Sequence, residues 1–122
     1  MSQAITVAER YIAAWNEKNP AARREALSAQ WARSAVYRDP IAHAEGLDAI
    51  DSMIAGVQTR FPAFRFALKH PATGYGDIVR FAWSLGPESG EAPIEGSDVV
   101  VLAEGRIKEV IDFLDKVPQQ SA

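Results

Sequence analysis

The sequence predicts one α+β domain in which three helices pack on one side of a mainly antiparallel sheet. Apolar residues recur at helical spacing in the first half of the chain and at every second position in the second half. Helices do not alternate with strands in the second half, so consecutive strands are expected to pair antiparallel. The 122 residues suffice for one hydrophobic core. We assign 1–118 to the domain and 119–122 to a loose tail.

Composition and charge exclude several classes of protein. With 48% apolar and 24% charged residues, the chain has the composition of a globular protein. A net charge of −3, without a basic run, disfavours a nucleic-acid partner. No apolar stretch approaches the roughly 18–20 residues that span a membrane, and no secretory signal begins the chain, so a cytoplasmic protein is expected. Without cysteine and with His43 and His70 far apart, no metal or cofactor is expected.

The first helix is predicted from Ser2 to Glu17. Its apolar residues follow the i, i+3, i+7, i+10 spacing of one helix face: Ile5, Ala8, Ile12 and Trp15. Tyr11 lies at the flank of this face. Tyr11 and Trp15 are therefore expected to point inward.

Two further helices begin or end at prolines. Asn19-Pro20 has the form of an N-cap followed by proline at the first helical position, and it predicts a second helix that runs to Gln30. The third helix is predicted from apolar residues at helical spacing: Leu47, Ile50, Ile54, Val57 and Phe61. Pro62 ends it.

The strands are predicted from turns and from alternation of apolar with polar residues. A short strand covers Ala35-Val36-Tyr37, and Asp39-Pro40 turns the chain after it. Four antiparallel strands follow: one with Phe64, Phe66 and Leu68, one with Val79, Phe81, Trp83 and Leu85, one from Ala92 to Ala103, and one after the Glu104-Gly105 turn through Asp115.

Five short motifs, in this order and spacing, resemble a known superfamily. They are Tyr11-Ile12-Ala13-Ala14-Trp15-Asn16, Tyr37-Arg38-Asp39-Pro40, Gly46-Leu47-Asp48-Ala49-Ile50, Gly96-Ser97-Asp98 and Gly105-Arg106-Ile107. The chain resembles the nuclear transport factor 2-like superfamily over nearly its whole length, in the branch of SnoaL-like polyketide cyclases and ketosteroid isomerases. Among these, it is most similar to bacterial members without an assigned activity. The resemblance implies a cone-shaped domain whose strongly curved sheet and helices enclose a pocket.

The resemblance also implies roles for three residues. In ketosteroid isomerases the aspartate of an Asp-Pro turn moves a proton, while a first-helix tyrosine and a strand aspartic acid donate hydrogen bonds to the enolate oxygen. By motif position these catalytic roles fall on Asp39, Tyr11 and Asp98. The residues themselves leave alternatives open. Asp39 either acts as a base or caps its own turn, and Tyr11 either donates to a ligand or simply packs. Asp98, in a strand buried at alternate positions, either stays neutral or pairs with a cation such as Arg80.

Aromatic, sulfur-containing and polar residues are candidates for lining the pocket. They are Trp15, Tyr37, His43, Met53, Phe64, Arg80, Phe81, Trp83 and Phe113. His43, in the loop after the turn, is either a proton shuttle or a solvated surface residue. A lining that contains His43 and Arg80 disfavours a ligand as apolar and as large as a steroid.

Several functions remain open at this stage. One is an isomerase- or cyclase-type enzyme that moves a proton next to a carbonyl in a small, mostly apolar molecule. A second is a non-catalytic binding protein for such a molecule, and a third is an interaction module that forms a homodimer through the sheet. A fourth resembles limonene epoxide hydrolases, with Asp98, Arg80 and Asp112 activating water, although the spacing of these residues matches that family poorly.

Overall fold

The computed structural model describes residues 2–118, with side chains from Gln3 onward; the predicted tail at 119–122 lies outside them. The helices are α1 (Ser2–Asn16), α2 (Pro20–Gln30) and α3 (Leu47–Arg60). The strands are β1 (Trp31–Arg38), β2 (His43–Glu45), β3 (Phe64–Leu68), β4 (Thr73–Tyr75), β5 (Ile78–Pro87), β6 (Ile94–Ala103) and β7 (Arg106–Lys116). The predicted α+β class, with three helices on a curved sheet, is confirmed.

The strands form one curved, open sheet in the order β2-β1-β7-β6-β5-β3, with β4 paired to β5. The predicted antiparallel run β3, β5, β6 and β7 is confirmed. β1 lies parallel to β7, between it and the edge strand β2, and the order of elements along the chain does not predict this pairing. The sheet is therefore mixed, because the last strand returns beside the first.

The helix boundaries agree with the proline and cap signals. The Asn19 side chain accepts a hydrogen bond from the backbone N–H of Ala22 at 2.9 Å, and Pro20 opens α2. α3 ends with the Phe61 N–H donating to the Val57 carbonyl, just before Pro62. None of the helices within residues 2–118 is long and apolar enough to cross a membrane.

Three features of the strands differ from the prediction. β1 extends back to Trp31, directly after α2, instead of covering three residues. The predicted loop with His43 forms the short strand β2, which pairs with β1. β4 was not predicted, because its sequence Thr73-Gly74-Tyr75 has no apolar alternation.

The helices cover one face of the sheet, and none of those within residues 2–118 covers the other face. α1 packs against β3, β4 and β5, and α3 packs against β1 and β2. The buried Arg23 of α2 joins the helices, because its Nε donates to Asp51 at 2.6 Å and its Nη1 to Gln58 at 3.0 Å. Nη1 also donates to the Glu17 carbonyl at 3.2 Å. The aromatic core lies between this helical layer and the inner face of the sheet.

Candidate functional site

Two carboxyl groups face each other on the inner side of the sheet. Asp98 on β6 and Asp112 on β7 are directly opposed in the register. Opposed residues of an antiparallel pair project to the same face with their Cβ atoms about 5 Å apart. The two residues are 1% and 6% exposed, and within residues 2–118 neither forms a salt bridge. A buried carboxylate without a cation is costly, so the pair must be stabilised in another way.

Protonation provides that stabilisation. Burial raises the pKa of Asp98 above its ordinary value. Burial also raises the pKa of Asp112 to about 10, and the hydrogen bond to Asp98 and its charge add to the rise. Oδ2 of Asp98 and Oδ1 of Asp112 are buried and find no donor among the described residues. A proton held between the two carboxyls supplies the missing donor, and the pair therefore keeps at least one proton at neutral pH.

The other oxygen of Asp98 is bonded to a tryptophan. The indole Nε1 of Trp83 on β5 donates to Oδ1 of Asp98 at 3.1 Å. Trp83 stands opposite Gly96, which lies two residues before Asp98 on β6 and faces the same side of the sheet. The Gly-Ser-Asp motif thus combines a carboxyl with a position that leaves room for the indole.

Tyr11 of α1 lies beside Asp98 from the helical side. It is 3% exposed, stacks on Trp31 at 5.7 Å and meets the Phe81 ring edge-on at 5.1 Å. Burial, followed by the charge of Asp98, raises the pKa of Tyr11 well above its ordinary value. The phenol is therefore neutral and keeps its O–H as a donor.

Asp39, in the turn after β1, is only half buried and accepts three hydrogen bonds. Its Oδ1 accepts from the backbone N–H groups of Ile41 and Ala42 at 2.8 and 2.7 Å. Its Oδ2 accepts from the Tyr37 hydroxyl at 2.8 Å. The turn-capping role expected as one alternative is therefore present, and the Tyr37 bond ties this carboxylate to the interior.

Electrostatic coupling joins the turn to the carboxyl pair. The charge of Asp39 contributes to raising the pKa values of Asp98 and Asp112. Burial, then the charge of Asp112 and the hydrogen bond to Asp39, raises the pKa of Tyr37. The structure thus brings Tyr11, Asp39 and Asp98, the three predicted catalytic residues, into one electrostatically coupled cluster with Asp112.

Two aromatic side chains separate this cluster from a cavity. The cavity, of about 290 Å³, lies between the ends of α1 and α3 and strand β3. Its apolar lining comprises Trp15, Val57, Phe61, Phe64, Phe66 and Leu85. On its far side the Trp15 ring packs against Tyr37 at 5.7 Å, and the Phe66 ring packs against Trp83 at 5.4 Å. A more open groove of about 680 Å³ lies between α1 and the edge formed by β3 and β5.

Comparison with known proteins assigns the family. The family model for the SnoaL-like domain matches residues 8–110. The chain belongs to the SnoaL-like family. The resemblance predicted from the sequence motifs is thereby confirmed. No curated protein matches the chain.

Solved structures of similar proteins have the same fold. A proposed isomerase of the SnoaL-like family from Agrobacterium tumefaciens is 40% identical, with a TM-score of 0.90 over 94% of this chain and 99% of that chain. A proposed ketosteroid isomerase from Kribbella flavida is 14% identical, with a TM-score of 0.72 over 99% and 84%. A proposed SnoaL-like polyketide cyclase from Jannaschia sp. is 17% identical, with a TM-score of 0.73 over 93% and 86%. The last two share the fold with this SnoaL-like chain.

Two predicted lining residues lie on the outer face of this SnoaL-like sheet. Arg80 is exposed and stands opposite Val99, whereas its neighbour Phe81 stands opposite Asp98. The predicted ion pair between Asp98 and Arg80 is therefore not formed, and the water-activating set with Arg80 is not assembled. Phe113 is 54% exposed on the same outer face.

The remaining candidates lie at different distances from the cluster. Phe81 touches Tyr11, as described above. Phe64 stacks on Phe61 at 5.4 Å beside the cavity, and Met53 is half buried against the core. The exposed side chain of His43 faces Glu45 at 3.3 Å, so the solvated alternative describes it.

The sequence points to Asp112 only through the epoxide-hydrolase alternative. Counting back from the Glu104-Gly105 turn places Ile111, not Asp112, opposite Asp98. A β-bulge adds one residue to β7, because Leu102 pairs with Ile107 but Val101 pairs with Glu109. The shift turns Asp112 inward and Phe113 outward. Nothing in the local sequence marks this bulge.

The site offers hydrogen-bond donors and carboxyls and no evident metal centre. Within the described chain, no group of three or more His, Asp or Glu side chains is arranged to hold a metal ion. The indole N–H of Trp15 is buried and has no partner among residues 2–118. The cluster can therefore hold protons, donate hydrogen bonds and accept a proton at Asp39.

Proposed function

We propose that this SnoaL-like protein is an isomerase- or cyclase-type enzyme that moves a proton next to a carbonyl in a small, mostly apolar molecule. Asp39 removes a proton from the carbon beside the carbonyl. The electron pair of that C–H bond moves into the enolate, and its negative charge develops on the carbonyl oxygen. Tyr11 and the protonated carboxyl pair, through Asp98, donate hydrogen bonds to this oxygen. Asp39 then returns the proton to carbon, which balances the reaction without a further reactant.

One observation carries the proposal: carboxyl groups of one cluster lie in opposite surroundings. Asp39 is half buried and accepts three hydrogen bonds, an environment that suits a hydrogen-bond acceptor. Asp98 and Asp112 are buried against each other without a cation, and their raised pKa values favour the protonated form. Carboxyl groups whose environments differ in this way are suited to act as base and acid in the same reaction.

The size of the cavity supports a small substrate, and its lining is mixed, with Asn16, Lys18 and Gln58 beside the apolar side chains. Its volume of about 290 Å³ lies at the lower end of the range for ligand sites. Trp15 and Phe66 form both its inner wall and the outer boundary of the cluster. Because neither Tyr11 nor Asp98 lines the cavity, we infer that these two rings turn aside when a substrate reaches the cluster.

The test is exchange of hydrogen for deuterium beside a carbonyl. Small enolisable ketones, beginning with cyclohex-3-enone, are incubated with the protein in D₂O, and the loss of the α-proton signal is followed by NMR. We expect the wild-type protein to accelerate exchange and Asp39→Asn to reduce the rate by at least about 100-fold, the contribution of a general base. Asp48→Asn, in the exposed first turn of α3, is the matched control.

Two results would contradict the proposal. Exchange at the wild-type rate in Asp39→Asn would remove Asp39 as the base. Tight binding of such ketones, seen as quenching of tryptophan fluorescence, without any exchange would instead favour the non-catalytic binding protein.

We further propose that the outer face of the sheet is the surface of a homodimer. No described helix covers this face, and it carries the half-buried Val99, Val101 and Ile111 beside the exposed Phe113. An apolar patch of this kind on a protein surface typically marks an interface.

Light scattering should give twice the monomer mass for the wild-type chain and the monomer mass for Phe113→Glu. Ile41→Glu is the control, because Ile41 is 79% exposed in the turn after β1. A monomeric wild-type chain would exclude the dimer.

A further inference from the structure

The indole of Trp83 lies flat over a position that only glycine can occupy. Gly96 stands opposite Trp83 in the pairing of β5 with β6. A Cβ atom at Gly96 would lie 2.6 Å from Cε2 of the indole and 2.6 Å from the carbonyl oxygen of Phe113. Such distances are far below van der Waals contact. The missing side chain of Gly96 therefore defines the place of the Trp83 ring.

From this place the indole selects one oxygen of Asp98. An indole N–H can only donate a hydrogen bond, so Oδ1, which it reaches at 3.1 Å, must accept. The oxygen that accepts has carbonyl or carboxylate character, and any proton on the acid is left to Oδ2. Oδ2 is also the oxygen without a donor, as is Oδ1 of the opposed Asp112.

We propose that Trp83 is a positioning residue that confines the proton of Asp98 to Oδ2, where it is available to Asp112 in the free protein and to the substrate oxygen in the reaction. The Asp98 carboxyl is thereby held in one orientation and cannot exchange the roles of its two oxygens. This inference rests on the proposed function, in which the pair is the acid that faces the substrate oxygen.

Other ionisable groups face Asp98 and must be included in any titration. Asp112 faces it from β7, Tyr11 from α1, and Tyr37 and Asp39 from β1 and the turn that follows. Tyr11 and Tyr37 stay neutral, because burial raises the pKa of both. The other carboxyl groups that face Asp98 are therefore those of Asp112 and Asp39.

Trp83→Phe tests the proposal, because it removes the N–H and keeps an aromatic ring. The ¹³Cγ signals of labelled aspartates are followed against pH by NMR and assigned with Asp98→Asn and Asp112→Asn. Loss of the hydrogen bond to the charged form should move the titration midpoint of Asp98 upward by about 1 to 2 pH units. Trp15→Phe is the matched control: Trp15 is as buried as Trp83 and also packs edge-on against Phe66, but its N–H has no partner among the described residues. It should leave the midpoint unchanged.

A second measurement uses the wild-type protein and so does not depend on whether a Trp83 variant folds. In ¹⁵N-labelled wild-type protein, the indole N–H resonance of Trp83 should shift with pH as the pair titrates, while those of Trp15 and Trp31 stay fixed. The positioning role would be overturned by equal Asp98 titration midpoints in Trp83→Phe and Trp15→Phe, or by an indole N–H resonance of Trp83 that does not shift with pH. Either result would leave the proposed function intact. Ordinary titration of both Asp98 and Asp112 in the wild-type protein would instead overturn the proposed function.

Discussion

The turn after β1 and the centre of the sheet place the same side chain in opposite environments. At the turn, Asp39 accepts three hydrogen bonds and is only half buried. At the centre, Asp98 accepts a hydrogen bond from Trp83, lies beside Tyr11 and faces a second carboxyl. The first environment stabilises a carboxylate and the second an acid. The difference teaches that the fold, and not the residue type, assigns the chemical role of each aspartate.

The pH dependence of stability should show the largest effect. Because the folded-state pKa values of Asp98 and Asp112 lie above those of the unfolded chain, their contribution to stability is fully present below about pH 4. It is lost as the pH rises, up to about 10 for Asp112. The free energy of unfolding should fall by about 1.4 kcal/mol per pH unit for each proton that the folded pair retains.

Urea denaturation between pH 5 and 9 measures this slope. The double variant Asp98→Asn with Asp112→Asn, which cannot ionise at these positions, is the control and should lack it. Equal slopes in the two proteins would mean that the carboxyl pair carries no extra proton.

Removal of the turn carboxylate should have the next largest effect. Asp39→Ala leaves the N–H groups of Ile41 and Ala42 without their acceptor, and we expect a loss of about 2 kcal/mol in the free energy of unfolding. Asp39→Asn keeps an acceptor oxygen and should lose less than about 1 kcal/mol. If both variants were equally stable, the turn bonds would contribute nothing.

A smaller effect links the two environments. Since the charge of Asp39 raises the pKa values of Asp98 and Asp112, Asp39→Asn should lower the midpoints of both by roughly 1 pH unit. The ¹³Cγ titration of the two residues gives these midpoints. Unchanged midpoints would separate Asp39 from the cluster and contradict the proposed cooperation of base and acid.

The smallest effect is expected at Arg80. This residue is exposed on the outer face, so Arg80→Gln should change the free energy of unfolding by less than about 0.5 kcal/mol. It should also leave the titration of Asp98 unchanged. A higher titration midpoint of Asp98 in Arg80→Gln than in the wild-type protein would mean that Arg80 does pair with Asp98, against the observed register.

The local sequence predicts most of the elements and one half of the carboxyl pair. Helical spacing and the prolines at positions 20 and 62 mark α2 and α3, and alternation along β6 places Asp98 inward. The same alternation along β5 sets Arg80 on the face opposite to Phe81 and could have excluded its pairing with Asp98.

Features that depend on distant parts of the chain could not be predicted. The parallel pairing of β1 with β7 joins segments that are far apart in sequence. The bulge in β7 decides that Asp112, and not Ile111, meets Asp98. A shift of one residue in register exchanges every side chain between the two faces, and only the assembled sheet determines that register.

The protonation states of Asp39, Asp98 and Asp112 at neutral pH test the assignment of base and acid. The ¹³Cγ chemical shifts of the three residues, assigned with their Asn variants, distinguish a carboxylate from a carboxylic acid at each position. We predict an ionised Asp39 together with at least one protonated member of the Asp98 and Asp112 pair. Three ionised carboxylates at neutral pH would contradict the account.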